Sequence, residues 1–232
     1  MPLHFNSKEF GNRRNRLLEL MAGSELDGML IFRQESMFYL TGYDSFGYVF
    51  FQCLFLGGDG KLILLTRVPD LRQAQNTSIV EDIRIWVDGP EVNPALQLKE
   101  ILREYGCAGK RLGVEYDSYG LTAKNGKMLD SALDGFCELI DASGMVNRLR
   151  VVKSPEELVY VRKAAELADD ALDEAHRLVK DGCDEGELLA AMQGAVFRGG
   201  GDYPGNEFII GSGENALLCR YFSGGRKLDP ED

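Results

Sequence analysis

Apolar residues along the first two thirds of the chain form segments with helical spacing that alternate with short runs of strand length. Five segments with helical spacing or helix-forming composition predict helices over 10–22, 36–40, 70–75, 93–105 and 122–133. Six short apolar runs predict strands over 26–32, 48–56, 61–66, 83–87, 111–115 and 137–141. Residues 57–60, Gly-Gly-Asp-Gly, separate two of these strands and predict a hairpin turn. Because strands alternate with helices, the pattern indicates an α/β layer with a mixed sheet.

The pattern changes near residue 152, where a new helical period begins. Ser154 is a suitable N-cap, Pro155 occupies the first helical position, and Glu157 follows three residues after the cap. This arrangement predicts a capping box at the start of a long helix. We therefore place a domain boundary here, with a first domain over 1–152 and a second over 153–232.

The second domain begins with helical patterns and ends without a clear sheet. Apolar spacing predicts helices over 155–179 and 184–197, followed by three consecutive glycines that we expect to form a flexible connection. Strand and loop structure is expected over 207–211 and 215–221. So short a segment cannot bury both faces of a sheet, so we expect the second domain to be incomplete in this sequence.

Charge and hydropathy exclude two classes of partner. The chain has 37 acidic residues against 26 basic ones, and this excess disfavours nucleic acid because phosphate binding needs a basic surface. No apolar run approaches the ~20 residues that cross a bilayer, so no membrane association is expected. Residues 1–16 lack the apolar core of a signal peptide, and we expect a cytoplasmic protein.

Cysteine and histidine usage narrows the chemistry further. The cysteines are odd in number and scattered, without a C-x-x-C pair, at Cys53, Cys107, Cys137, Cys183 and Cys219. This distribution indicates neither a disulfide framework nor a zinc site, and it fits a reducing compartment. With His4 and His176 as the two histidines, chemistry that needs several imidazoles is excluded within this chain.

Three motifs in order carry a resemblance to a known family. Residues 37–43, MFYLTGY, are similar to the N-x-x-Y-L-T-G-[YF] turn of creatinase-type N-terminal domains. Residues 150–165 resemble the R-x-x-K-s-x-x-E junction of that family, and residues 208–216, FIIGSGENA, resemble the strand that leads into its active site. On these residues the chain is identified as a member of the creatinase/prolidase (peptidase M24) family, and resembles its Xaa-Pro aminopeptidases and dipeptidases.

This resemblance implies both a fold and an activity. The implied fold is an α/β mixed-sheet creatinase-type N-terminal domain over 1–152, followed by the incomplete start of an α+β pita-bread domain over 153–232. The implied activity is that of an M24 hydrolase, nominally a Xaa-Pro aminopeptidase or dipeptidase. Such an enzyme cleaves the amide bond before proline with water activated by two divalent metal ions, here Mn, Co or Zn.

The resemblance also implies that the metal ligands are not in this chain. Residues 226–232 resemble the lead-in to the first metal-binding aspartate of the family, and by that alignment the first ligand position falls just past Asp232. We therefore expect no metal site within this chain and a solvated turn at Asp229, Glu231 and Asp232. The paired metal ions are expected only in a complete protein.

Four residues are candidates for substrate binding: Arg220, Asn215, Tyr43 and Asp44. Arg220 follows Asn215 by five positions, where the family's peptidases carry a histidine. An arginine cannot shuttle a proton near neutral pH, but it can hold a carboxylate with two parallel hydrogen bonds. The alternative is that Arg220 only pairs with an acid near a strand end.

Tyr43 and Asp44 lie on an aromatic turn that in the family often faces the active site of a neighbouring subunit. Ordinary packing of that turn is the alternative. The resemblance therefore implies a homodimer, with a small peptide or a small carboxylated amide as substrate.

Two other functions stay open. Because Arg220 replaces the histidine, the protein is alternatively a metal-independent or altered relative that acts on a small carboxylated amide or amidine, as creatinase and ectoine hydrolase do. It is also alternatively a non-catalytic protein-binding module. We expect the 232-residue chain alone to be inactive, and robust hydrolysis of any Xaa-Pro dipeptide would contradict this.

Overall fold

The strands and helices of the first part of the chain build one mixed sheet with helices on both faces. The computed structural model describes residues 3–47, 49–221 and 224–232. Its backbone separates into two units, Met1–Val152 and Lys153–Asp232.

The sheet of the first unit has six strands in the order β4-β3-β2-β1-β5-β6. Their bounds are Gly28–Ile31 for β1, Cys53–Gly57 for β2, Leu62–Arg67 for β3, Asp82–Trp86 for β4, Arg111–Val114 for β5 and Glu138–Asp141 for β6. Strand β2 is antiparallel to β1 and β3, whereas the pairs β3–β4, β1–β5 and β5–β6 are parallel. The hairpin turn predicted between β2 and β3 is present, with Gly60 at a φ of 85° that favours glycine.

Helices cover both faces of this sheet, which explains why the strands are apolar on both sides. The helices of the first unit are α1 Ser7–Gly23, α2 Gln34–Thr41, α3 Leu71–Thr77, α4 Pro94–Glu104, α5 Ala123–Leu133 and α6 Met145–Val151. Leu30 of β1 packs in the cluster that contains α4 and α5. Its neighbours Met29 and Ile31 pack in the cluster of α1, α2 and α6.

Two details of the first unit differ from the sequence expectation. Helix α6 was not expected because it has only seven residues, of which three have buried side chains. Strand β2 begins at Cys53 rather than at 48, because its pairing with β3 begins at Cys53 and that with β1 at Leu54. The Gln52 side chain donates to the Gly47 carbonyl of the preceding loop at 3.0 Å. Tyr48, part of the predicted strand, lies outside the described residues.

A buried arginine joins α1 to α2. Arg13 is 2% exposed, and its Nε lies 3.0 Å from Oε1 of Glu9, one turn earlier in α1. Its Nη1 donates to the Tyr39 carbonyl at 2.9 Å, and the guanidinium lies 4.0 Å from the centroid of the Phe5 ring. Burial of these charges is tolerated because the guanidinium is paired, hydrogen-bonded and stacked.

The second unit begins with two helices, α7 Pro155–Leu178 and α8 Glu185–Arg198, which pack against each other. The predicted capping box is present: Ser154 Oγ accepts from the Glu157 amide, and Glu157 accepts from the Ser154 amide at 2.7 Å. The glycines after α8 are close-packed rather than a free linker. A Cβ on Gly199 would lie 2.2 Å from Leu167 Cδ2, and one on Gly201 would lie 2.8 Å from Leu167 Cδ1.

The strand predicted over 207–211 is wrong. The structure has irregular backbone there, followed by a short 3₁₀ turn at Gly213–Leu217. A strand needs a neighbour for its backbone groups. Among residues 153–221 and 224–232, the single extended pairing is an isolated bridge between Asp184 and Lys227.

No helix within the described part of the chain is long and apolar enough to cross a membrane.

Replacing Arg13 tests the buried junction between α1 and α2. In Arg13→Met the Glu9 carboxylate is left buried without its partner, so the free energy of unfolding of the first unit should fall by about 3–5 kcal/mol. Urea unfolding followed by the fluorescence of the one tryptophan, Trp86, reports on this unit because Trp86 is buried in it.

The exposed Arg16 of the same helix provides the control, and Arg16→Met should change the unfolding free energy by less than about 0.5 kcal/mol. The double variant Glu9→Leu/Arg13→Met should recover much of the loss, because no charge is then left unpaired. A single variant as stable as the original protein would show that the pair is not a structural requirement.

Candidate functional site

A tight turn over 211–215 lies at the centre of the candidate site. The Asn215 amide donates to the Ser212 carbonyl at 3.0 Å, and the Leu218 amide donates to the Asn215 carbonyl at 3.0 Å. Gly213 has a φ of 50°, in the left-handed region that favours glycine. A Cβ on Gly211 would lie 2.5 Å from the Asn215 carbonyl oxygen, so the turn closes only with glycine there.

The N-terminus of α8 holds this turn through a buried carboxylate. Glu185, the first residue of α8, is 2% exposed. Its Oε1 accepts from the Ser212 amide at 2.7 Å and from the Ser212 hydroxyl at 2.6 Å. The turn is therefore attached to a regular helix, even though it belongs to no strand.

Arg226 attaches the same turn to the last residues of the chain. Its guanidinium donates to Ser212 Oγ and to Asp232, and Nη2 also donates to Asp229 Oδ2 at 2.9 Å. The Asp229 amide donates to Asp232 Oδ2 at 2.7 Å. One guanidinium thus joins the Ser212 turn to the segment that ends at Asp232.

The expected solvated turn is confirmed for Asp229 and Glu231, which are exposed, and the structure adds that the Asp232 carboxylate is paired with Arg226. The Asp229 side chain is 73% exposed, but that of Asp232 is only 10% exposed because Arg226 covers it. The hydrogen bond from Arg226 lowers the pKa of Asp232 below its ordinary value. The same bond raises the pKa of Arg226.

Sequence reasoning had no signal for Glu185 as a site residue. An acidic residue in the first turn of a helix is ordinary, because it interacts favourably with the helix dipole. Its partner Ser212 lies 27 positions later. Only the folded structure reveals that contact.

Arg220 lies on the wall of an open groove of about 780 Å³. The lining residues are Leu189, Gln193, Glu207, Phe208, Leu218, Cys219, Arg220 and Tyr221. Nη2 of Arg220 is 3.3 Å from Oε2 of Glu207, and the two side chains are 76% and 71% exposed. The guanidinium is therefore accessible from solvent, although it is paired with an acid.

The structure places Asn215 in the turn rather than on the wall of the groove. It is half-buried, and its backbone closes the turn. It therefore precedes the groove segment that contains Arg220. Substrate contacts of Arg220 and Asn215 stay predictions.

Tyr43 holds the loop between α2 and β2 in the first unit. It is 1% exposed, and its hydroxyl donates to Gln52 Oε1 at 3.1 Å, while the Thr66 hydroxyl donates to the same oxygen at 3.2 Å. Burial raises the pKa of Tyr43. These contacts give Tyr43 a structural role in the loop, and a contact with substrate stays a prediction.

Asp44, the next residue, is exposed and lines a small pocket together with Phe38, Asn76 and Thr77. Its amide donates to Thr77 Oγ1 at 3.1 Å, which fixes the backbone at this point. Its carboxylate is accessible to solvent. Its assignment as a substrate-binding residue also stays a prediction.

The residues of this chain do not form a metal site where the structure describes them. Over 3–47, 49–221 and 224–232, no group of three or more histidine, cysteine, aspartate or glutamate side chains could hold an ion. Two-metal chemistry needs several carboxylates that converge on ions ~3.5–4 Å apart. No chemical step can be assigned to a metal ion held by these residues.

Two family models match consecutive parts of the chain. Residues 13–152 match the Creatinase/Prolidase N-terminal domain, and residues 159–232 match Metallopeptidase family M24. The chain therefore belongs to the creatinase/prolidase family. This result confirms the predicted fold class, a mixed-sheet creatinase-type domain followed by the start of an M24 domain.

The proteins that this chain is similar to carry the names of different enzyme activities. The chain is 27% identical over 234 residues to the ectoine hydrolase of Halomonas elongata, covering 93% of this chain and 58% of that protein. It is 28% identical over 243 residues to the Xaa-Pro aminopeptidase of Escherichia coli, covering 92% and 54%. The crystal structure of a dipeptidase from Pyrococcus horikoshii OT3 matches with a TM-score of 0.73 at 25% identity, over 94% of this chain and 58% of that one. The chain spans about half the length of the curated relatives it matches.

The titration of Asp232 tests its contact with Arg226. A lowered pKa means that the contact is fully present above the ordinary aspartate pKa of ~3.9 and is lost as the pH falls through the lowered value. In Arg226→Met the titration midpoint of Asp232 should therefore rise. Carboxyl ¹³C NMR measures this midpoint directly.

Asp59 in the first unit serves as the internal control. Its pKa is lowered mainly by the Lys61 backbone amide, so its midpoint should be unchanged in Arg226→Met. Equal midpoints for Asp232 in both proteins would mean that Arg226 does not stabilise the Asp232 carboxylate in solution.

Proposed function

We propose that this chain is part of a hydrolase that cleaves a carbon–nitrogen bond in a small substrate bearing a carboxylate. The nominal substrate is a Xaa-Pro peptide or dipeptide, cut at the amide bond before proline. The observation that carries the proposal is Arg220, an accessible guanidinium on the wall of a groove in the M24 part of the chain. Membership of the creatinase/prolidase family supports the reaction class.

The proposed role of Arg220 is to bind and orient. Its guanidinium stays protonated near neutral pH, so it does not serve as a general acid or base. It can donate two parallel hydrogen bonds to a carboxylate, which fixes both the position and the orientation of the substrate. The turn at Ser212–Asn215, held by Glu185 and Arg226, would set where the groove segment begins.

Paired divalent metal ions, when bound, would supply an activated water as the nucleophile. The described residues do not hold them, so in this proposal their ligands lie outside this sequence. The contribution of this chain is then substrate binding, positioning and the N-terminal domain.

A second candidate substrate class is a small carboxylated amidine or amide, of the kind that creatinase and ectoine hydrolase are named for. Arg220 favours it, because the peptidases of the family carry a histidine at this position. The 27% identity to an ectoine hydrolase over most of the chain also supports it.

A homodimer is also proposed. The loop between α2 and β2 exposes two apolar side chains, Phe46 at 81% and Val49 at 67%. A second subunit that covers this loop would remove both side chains from water, which is favourable. A second subunit is the proposed occupant, in line with the family resemblance.

The proposal is tested by the intact mass, metal content and hydrolytic activity of the longest product of the native gene. About two transition-metal ions per subunit, together with hydrolysis of Xaa-Pro dipeptides, would support the peptidase. Hydrolysis of creatine or ectoine by a metal-free protein would support the second candidate. A metal-free product of 232 residues that hydrolyses none of these would refute the proposal.

Arg220 variants of an active gene product test the carboxylate contact. Losing a charge-assisted bidentate contact costs about 1.5–3 kcal/mol, so Arg220→Met should raise KM for a carboxylated substrate by about 10- to 150-fold. The same substrate with its carboxyl amidated should be hydrolysed equally by both proteins. The KM of Arg220→Lys for the carboxylated substrate should lie between those of the original protein and Arg220→Met, since lysine keeps the charge but cannot donate two parallel hydrogen bonds.

Arg177 on α7 gives a matched control, because it is an exposed arginine that pairs with a glutamate, Glu174 of the same helix, and does not line the groove. Arg177→Met should leave KM unchanged. An equal rise in KM for the amidated and the carboxylated substrate in Arg220→Met would show that Arg220 does not bind the carboxylate.

A further inference from the structure

The groove presents a negative charge next to its positive one. Glu207 and Arg220 come from the two ends of the irregular segment that follows the glycines, and both line the groove. Their closest atoms, Oε2 and Nη2, are 3.3 Å apart. Glu207 makes no other hydrogen bond or ion pair with the residues that the structure describes.

This pair is poorly suited to a purely structural role. More than 70% of each side chain is exposed, and exposed ion pairs contribute only about 0–1 kcal/mol to stability. A ligand can therefore replace either partner at little cost. The guanidinium has five N–H donors, so it can bind a carboxylate while still facing Glu207.

The two charges select ligands by their charge pattern. A simple carboxylate gains from Arg220 but is repelled by Glu207 a few ångströms away. A zwitterion can place its carboxylate on Arg220 and its cationic group on Glu207, so both interactions are favourable. The apolar side chains of Leu189, Phe208 and Leu218 provide contacts for the short hydrocarbon part of such a molecule.

We propose that Glu207 is a specificity-determining residue, which makes the groove select small zwitterions over simple carboxylates. The recognised cation is an ammonium or an amidinium group. This inference rests on the proposed function only in taking the groove as the substrate site. It adds the second charge that the substrate must carry.

Two probes of nearly equal shape differ in whether they carry the cationic group. Guanidinoacetate carries a guanidinium and a carboxylate, whereas N-carbamoylglycine replaces the guanidinium with a neutral urea. Their binding to the 232-residue chain is measured by NMR titration of the amides of residues 207 and 218–221. The original protein should bind guanidinoacetate more tightly.

Glu207→Gln should abolish this preference. Removal of one exposed charge interaction of about 0.2–1 kcal/mol corresponds to a change of about 1.4- to 5-fold in affinity. Affinity for guanidinoacetate should fall by that factor, and affinity for N-carbamoylglycine should rise by a similar one. A merely structural Glu207 would change both affinities in the same direction.

Glu166 on α7 gives a matched control variant. It forms an exposed ion pair with Lys163 at the same distance of 3.3 Å, outside the groove, so Glu166→Gln should leave both affinities unchanged. A second pair of probes, glycylproline and its N-acetyl derivative, distinguishes an ammonium from an amidinium as the recognised cation.

No binding of either zwitterion to the original protein, or no opposite change in Glu207→Gln, would overturn the inference. Because these titrations involve no turnover, their outcome is independent of the hydrolysis assay. If the two affinities change in opposite directions but the native gene product hydrolyses none of the substrates, the proposed reaction is refuted and the proposed specificity of the groove is supported.

Discussion

The hydrogen bonds of one guanidinium organise the part of the second unit that lacks regular structure. Arg226 contacts Ser212, Asp229 and Asp232, and Ser212 in turn is bound by the buried Glu185 at the start of α8. In a segment without strand neighbours, backbone groups find few partners in regular structure. Hydrogen bonds from charged side chains hold this segment in place, whereas in the first unit the backbone hydrogen bonds of the sheet do so.

Much of the first unit could be predicted from sequence because its information is local. The strands are short apolar runs between turn residues, and the helices show their own period, so all six strands were expected close to their positions. Helix α6 was missed since Met145, Val146 and Leu149 are too few to establish a period. The strand over 207–211 was expected from composition, but whether an apolar run pairs depends on a neighbour that composition does not reveal.

The candidate site was predictable only in part. Arg220 and Asn215 were candidates because they stand at fixed positions within a motif, and their contacts with substrate stay predictions. Glu207 and Glu185 were not found, since their roles arise from contacts with residues distant in sequence, Arg220 and Ser212. Arginine in place of histidine also exchanges a group that titrates near neutral pH for a permanent cation. At this position the protein can bind charge but cannot move a proton.

The close packing of Gly199 and Gly201 against Leu167 has a consequence for sequence variation. These glycines set the point from which the chain leaves α8 toward Glu207, and the buried Leu167 leaves little room for a side chain at either one. A methyl group introduced there would displace the chain at its exit from the helix. In related proteins, a substitution at a remote glycine could therefore appear as a change of substrate preference with every groove residue conserved.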